Sequence, residues 1–112
     1  MGNRNDVLDT AARKLPDLPA RFRVLVDRES PSSYRPGLEL CASLIRPWLS
    51  AALERPVRME RTGENVHILA EAPDPGVLVL GHFDTVWPVG TTADWPFSIT
   101  DGIATGPDAF DM

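Results

Sequence analysis

The sequence predicts an α/β fold in which N-terminal helices pack on a mixed, largely parallel sheet. Three observations carry that expectation. Helical periodicity fills the first half of the chain, β-prone runs follow from Pro56 onward, and one run, Val77–Leu80, is apolar at every position between Pro75-Gly76 and Gly81. A run with no polar face reads as a strand buried on both sides, the kind found in the middle of an α/β sheet. Parallel strands in such a sheet are joined by right-handed crossovers. At 112 residues, 43% of them hydrophobic, the chain is sized for one domain.

The elements follow in order. Val7, Leu8, Ala11, Ala12 and Leu15 give a faint helical pattern that Pro16 ends. Asp17 can cap a second helix to about Glu29, with Pro19 in its first turn and Leu18, Phe22, Leu25 and Val26 on one face. Ser30-Pro31-Ser32-Ser33 breaks the chain. A longer helix starts near Pro36 with Ser33 as its cap, and it carries Leu38, Cys41, Leu44, Ile45, Leu49, Ala52 and Leu53 at helical spacing. Pro47 inside it predicts a kink or a split into two shorter helices. Cys41, on the apolar face, reads as a small buried hydrophobe.

Pro56–Arg61 alternates Val57 and Met59 inward with charged neighbours outward, the pattern of a half-exposed strand. Thr62-Gly63-Glu64 is a turn into a second strand over Asn65–Glu71, where His67 is structural. After Val77–Leu80 comes an irregular loop with Trp87 and Trp95, which could line a pocket or cover a core edge. Phe97–Ala104 contains Asp101-Gly102 between short β-prone runs, a strong hairpin signal.

Charge is unevenly spread. All 11 basic residues lie at or before Arg61, against eight acids there, whereas residues 62–112 hold eight acids and no Lys or Arg. The two parts are thus about +3 and −8, and the second is a poor nucleic-acid binder and a plausible cation binder. No apolar run reaches the roughly 20 residues that span a bilayer, so no membrane partner is expected. The polar N-terminus lacks the pattern of a signal peptide, and Asp6 stands where a myristoylation motif needs Ser or Thr. Together with a single cysteine, this predicts a cytoplasmic protein.

Candidate chemistry sits at the carboxyl end of Val77–Leu80, where open α/β sheets place their sites. His82 and Asp84, two apart in extended chain, project to the same side. A neutral imidazole is a good Zn²⁺ ligand, and the carboxylate could hold the ring or bind beside it. Thr85 has no activating base near it in sequence, and no glycine-rich phosphate loop is present.

The stretches VLGHFDTVWPVG, ADWPFSITDG and GPDAFDM closely resemble the first two signature blocks of the M20 family of metallopeptidases, in its glutamate carboxypeptidase-like branch. That branch reads GHxDTVWPxG, then a WPF hairpin, then GPGxxDMKGG. Glu29-Ser30-Pro31-Ser32 is similar to the family's early ESPS turn. The resemblance implies that residues 1–112 are the N-terminal portion of a zinc-peptidase catalytic domain, without the lid domain through which full-length members form a homodimer. It implies a two-zinc site, with Co²⁺ or Mn²⁺ as alternatives, that hydrolyses an amide bond beside a free carboxylate. Its substrate would be a small peptide or an N-acyl amino acid. By position, His82 would ligate one metal, Asp84 would orient and polarise that histidine as the catalytic carboxylate, and Asp111 would bridge both ions.

Asp108 departs from the pattern, which has Gly there. The family's Lys-Gly-Gly continuation, its Glu-Glu pair and its later ligands lie beyond Met112, so the isolated chain is expected to be inactive. A non-catalytic binding or assembly domain derived from the same fold is the alternative, and an α/β domain with a structural His-x-Asp is a third reading.

Overall fold

The computed structural model describes residues 3–109. Helix α1 (Arg4–Lys14) is capped by Asn3, whose side chain accepts from the Asp6 amide while Asp6 returns a bond to the Asn3 amide. This reciprocal pair satisfies two N-terminal donors and turns a faint apolar pattern into a helix. None of its residues is buried. Pro16 ends α1, as expected, but the chain does not leave helical conformation. A 3₁₀ turn (Leu15–Asp17) carries it directly into α2 (Leu18–Asp27), so Asp17 takes helical angles and makes no side-chain cap.

Helix α3 (Arg35–Leu53) begins with Pro36 in its first turn, with Tyr34 rather than Ser33 at the cap position. It runs through Pro47 as one element. Proline removes the bond to the Ser43 carbonyl, and both Ser43 and Pro47 lie exposed, where water can satisfy that oxygen. Strands β1 (Arg58–Thr62) and β2 (Asn65–Leu69) form an antiparallel hairpin across Gly63-Glu64. Glu39 of α3 ties this hairpin to the helix through Arg61, at 2.8 and 2.7 Å. Those bonds and the adjacent guanidinium charge hold the Glu39 carboxyl below its ordinary range.

A single helical turn, α4 (Thr91–Asp94), lies in the Trp87–Trp95 loop. The last elements, β3 (Ser98–Thr100) and β4 (Ile103–Thr105), form a second antiparallel hairpin. Asp101 and Gly102 at its tip both have positive φ (51° and 76°), as a two-residue I′ turn requires. Phe97 fixes the hairpin to α2, meeting Phe22 edge-on with ring centroids 5.3 Å apart.

The core is small. Val26, Leu38, Cys41, Ala42, Val57, Val66 and Phe97 are buried; α3 packs against the first hairpin, and α2 meets Phe97. Cys41 is fully buried, and that burial pushes its thiol above the ordinary value, as suits a packing residue.

Helices and strands are both present, but the sheets correct the expected topology. The described strands form two separate two-stranded antiparallel sheets, and the parallel pairing there is an isolated bridge between Pro31 and Thr85. Val77–Leu80 is not a buried strand either: these four side chains are 82–90% exposed and belong to neither sheet. A strand buried on both faces needs neighbours along its edges and layers above and below. Here α3 packs on the β1–β2 hairpin and α2 meets Phe97, and no described element covers this run. The radius of gyration, 15.5 Å, exceeds the roughly 13 Å of a compact domain this long, in keeping with uncovered surface. No described helix is long and apolar enough to cross a membrane.

Candidate functional site

The site begins where α2 ends. Glu29 turns the chain with φ 47°, and the next residues run as a strap beneath the His82–Val86 stretch. Close approach of α3 keeps the strap in place, because a Cβ on Gly37 would stand 2.2 Å from the Glu29 carbonyl oxygen. Ser30 is fully buried, and its hydroxyl donates to the Phe83 carbonyl at 2.7 Å. Two main-chain bonds complete the junction, from the Thr85 amide to the Ser30 carbonyl (2.8 Å) and from the Ser32 amide to the Thr85 carbonyl (3.0 Å). ESPS and HFDT, some fifty residues apart, are therefore joined by one rung of parallel β pairing.

On this support His82 and Asp84 meet. Nδ1 of His82 lies 3.0 Å from the Asp84 main-chain carbonyl and 3.3 Å from its carboxylate Oδ1. A carbonyl only accepts, so Nδ1 carries a proton; in the neutral ring Nε2 then holds the lone pair, the tautomer a metal-ligating histidine needs. The second carboxylate oxygen, Oδ2, accepts from the Ser32 hydroxyl at 2.6 Å. Both site side chains are about half exposed, at 52% and 47%.

Glu29 grips the far side of the same loop. Its carboxylate accepts from the Gly90 amide (2.9 and 3.0 Å) and from the amide and hydroxyl of Thr92 (both 2.9 Å). Burial pushes this carboxyl up, but the bonds from Thr92 and Gly90 outweigh it and leave the group below its ordinary value of 4.5. A carboxyl lowered on folding adds stability above its unfolded pKa and loses it as pH falls through the folded one. Glu29→Gln, which turns an amide donor toward these donors, should therefore cost about 2 kcal/mol at pH 7. The difference from wild type should shrink as pH falls below 4.5 and through the lowered folded value, where the carboxylate protonates in both states. Urea unfolding of both chains at neutral and acid pH measures this, and equal losses at both would refute the charge-based account.

Asp108 adopts φ 60°, the left-handed region where the resembling pattern has Gly. It neither faces solvent nor stands idle. Only 8% exposed, it accepts from the Val86 amide through Oδ1 at 3.3 Å, fastening the end of the strand-like stretch to the last loop. Trp87 and Trp95 pack edge-to-face on each other with centroids 5.6 Å apart, and both stay part-exposed at the rim of this region. His67 is exposed on β2 opposite Glu60, apart from these residues.

Asp111 lies outside the described residues. Among those described, no three His, Cys, Asp or Glu side chains come together closely enough to hold a metal ion. His82, oriented by Asp84, has the donor chemistry of one zinc ligand. Sequence reasoning found His82 and Asp84, but it did not find the roles of Ser32 and Glu29 beneath them. The signal was present only as the ESPS segment itself. Comparison of the chain with family models, with curated proteins and with solved structures gave no match.

Proposed function

We propose that this chain is the N-terminal portion of the catalytic domain of an M20-type metallohydrolase, a peptidase or amidohydrolase cleaving an amide bond beside a free carboxylate. The observation that carries the reading is the junction of Ser30–Ser32 with Phe83–Thr85, which sets Asp84 against the His82 ring. These are the stretches on which the resemblance rests. In this reading His82 ligates a zinc ion, with Co²⁺ or Mn²⁺ as substitutes, Asp84 orients the ring, and Asp111 is the bridging ligand. Bound metal would supply a polarised carbonyl and hydroxide at neutral pH.

The chain's own residues contribute support and orientation. Ser30 and the parallel rung hold the backbone, Asp84 keeps the imidazole proton on Nδ1, and Asp108 anchors Val86. A catalytic zinc takes three protein ligands, and His82 and Asp111 are fewer. The proposal therefore assigns this chain part of a centre and no turnover of N-acyl amino acids or peptides by itself. The largely parallel sheet belongs to the same proposal, with Val77–Leu80 as a strand once neighbours flank it, as does a homodimer of the full-length protein in the cytoplasm.

Zinc titration against a chromophoric chelator tests the assignment. His82→Ala should weaken binding by at least about tenfold, as expected when a ligand is lost. Equal affinity in the two chains would sink it. The exposed apolar run favours a second reading, a non-catalytic assembly domain. That reading gains if zinc binding ignores His82 while Val77–Leu80 governs association.

A further inference from the structure

We propose that Ser32 is a positioning residue, which holds one carboxylate oxygen of Asp84 so that the other faces the His82 ring and fixes its tautomer. The terminal torsion of an aspartate is soft and broad, so a half-exposed carboxylate does not orient itself. Ser32 removes that freedom. Its Oγ stands 2.6 Å from Oδ2, in the range of a charge-assisted O–H···O⁻ bond. The hydroxyl also lies 3.3 Å from the Thr85 carbonyl, but it has a single proton, and the shorter contact to the anion takes it.

The hydroxyl is itself well placed. The Ser32 amide is bonded to the Thr85 carbonyl at 3.0 Å, one residue beyond Asp84, so the strap that joins the two stretches also sets the distance from Oγ to the carboxylate. With Oδ2 occupied, Oδ1 remains at 3.3 Å from Nδ1, adding a charged acceptor to the main-chain carbonyl at 3.0 Å. Both acceptors favour the proton on Nδ1 and the lone pair on Nε2. A metal-affinity consequence rests on the proposed reading of His82 as a ligand, whereas the tautomer consequence does not.

The test uses the full chain, ¹⁵N-labelled, with the neutral His82 ring observed by long-range ¹H–¹⁵N correlation. Ser32→Ala should reduce the ratio of Nδ1–H to Nε2–H tautomer about threefold, the size expected for losing part of one hydrogen bond. It should also weaken zinc binding by up to about the same threefold, because the effect passes through that ratio. Ser32→Thr, which keeps the hydroxyl, should restore both. Ser30→Ala loosens the same strap without touching Asp84 and serves as the control for a merely structural effect. An unchanged tautomer ratio in Ser32→Ala overturns the proposal, as does an equal shift in Ser30→Ala. If zinc binds no variant measurably but the ratio still shifts in Ser32→Ala alone, the positioning role stands and the metal reading falls.

Discussion

Gly37→Ala should destabilise the chain by about 3 kcal/mol, the upper end of overpacking costs, and should loosen the His82–Asp84 pair with it. Helix propensity alone predicts the opposite sign, since replacing glycine by alanine inside a helix usually gains up to about 1 kcal/mol. Contact decides the matter. The added Cβ would lie 2.2 Å from the Glu29 carbonyl oxygen and 2.9 Å from a Tyr34 ring carbon. A ring can swing aside, but a main-chain oxygen moves only with its segment.

That segment carries the left-handed Glu29, whose carboxylate accepts from Gly90 and Thr92. One residue on, Ser30 is buried against Phe83. Displacing it strains all of these, so the loss should appear in urea unfolding and also as amide shift changes at Thr85, Gly90 and Thr92. Gly76→Ala is the comparison, because nothing lies within 4 Å of a Cβ there. It should stay within about 0.5 kcal/mol of wild type. A Gly37→Ala chain as stable as wild type would mean that α3 does not hold the strap.

What could be read from the sequence was local. Asp101-Gly102 specified its hairpin because two adjacent positive φ values suit those residues, and the apolar faces of α2 and α3 were visible in their spacing. Pro47 does not split α3, because on an exposed face it leaves a carbonyl that water can reach. Pro16 does end α1, yet a 3₁₀ turn accepts a residue without a donor and keeps the chain helical into α2.

The candidate site divides the same way. His82 and Asp84 are two residues apart, and their pairing follows from short-range geometry. Ser32 reaches Asp84 across 52 positions, and Glu29 reaches Thr92 across 63. No periodicity encodes such pairs. The ESPS segment could be recognised as a turn, but its work as a strap depends on where α3 presses it, through the absent side chain of Gly37.

Val77–Leu80 marks the other boundary of sequence reading and gives the second large effect. An apolar run states what its side chains seek, and the neighbours that would satisfy them are a separate fact. Left 82–90% exposed, four aliphatic side chains forgo burial worth about 2 kcal/mol each, roughly 8 kcal/mol together. That equals the whole stability of many domains, so the run should not stay solvated. Alternation along an extended segment puts Val77 and Val79 on one side and Leu78 and Leu80 on the other, and backbone pairing would still leave both sides open.

The isolated chain should therefore bind a hydrophobic dye and self-associate at micromolar concentration. A Leu78→Lys, Leu80→Lys double variant should sediment as a monomer, because charges on one side oppose both stacking and edge pairing. Since those leucines are 84% and 86% exposed, its unfolding midpoint should move little. Analytical ultracentrifugation of the two chains compares them directly. A wild-type chain that stays monomeric and dye-free would refute the prediction.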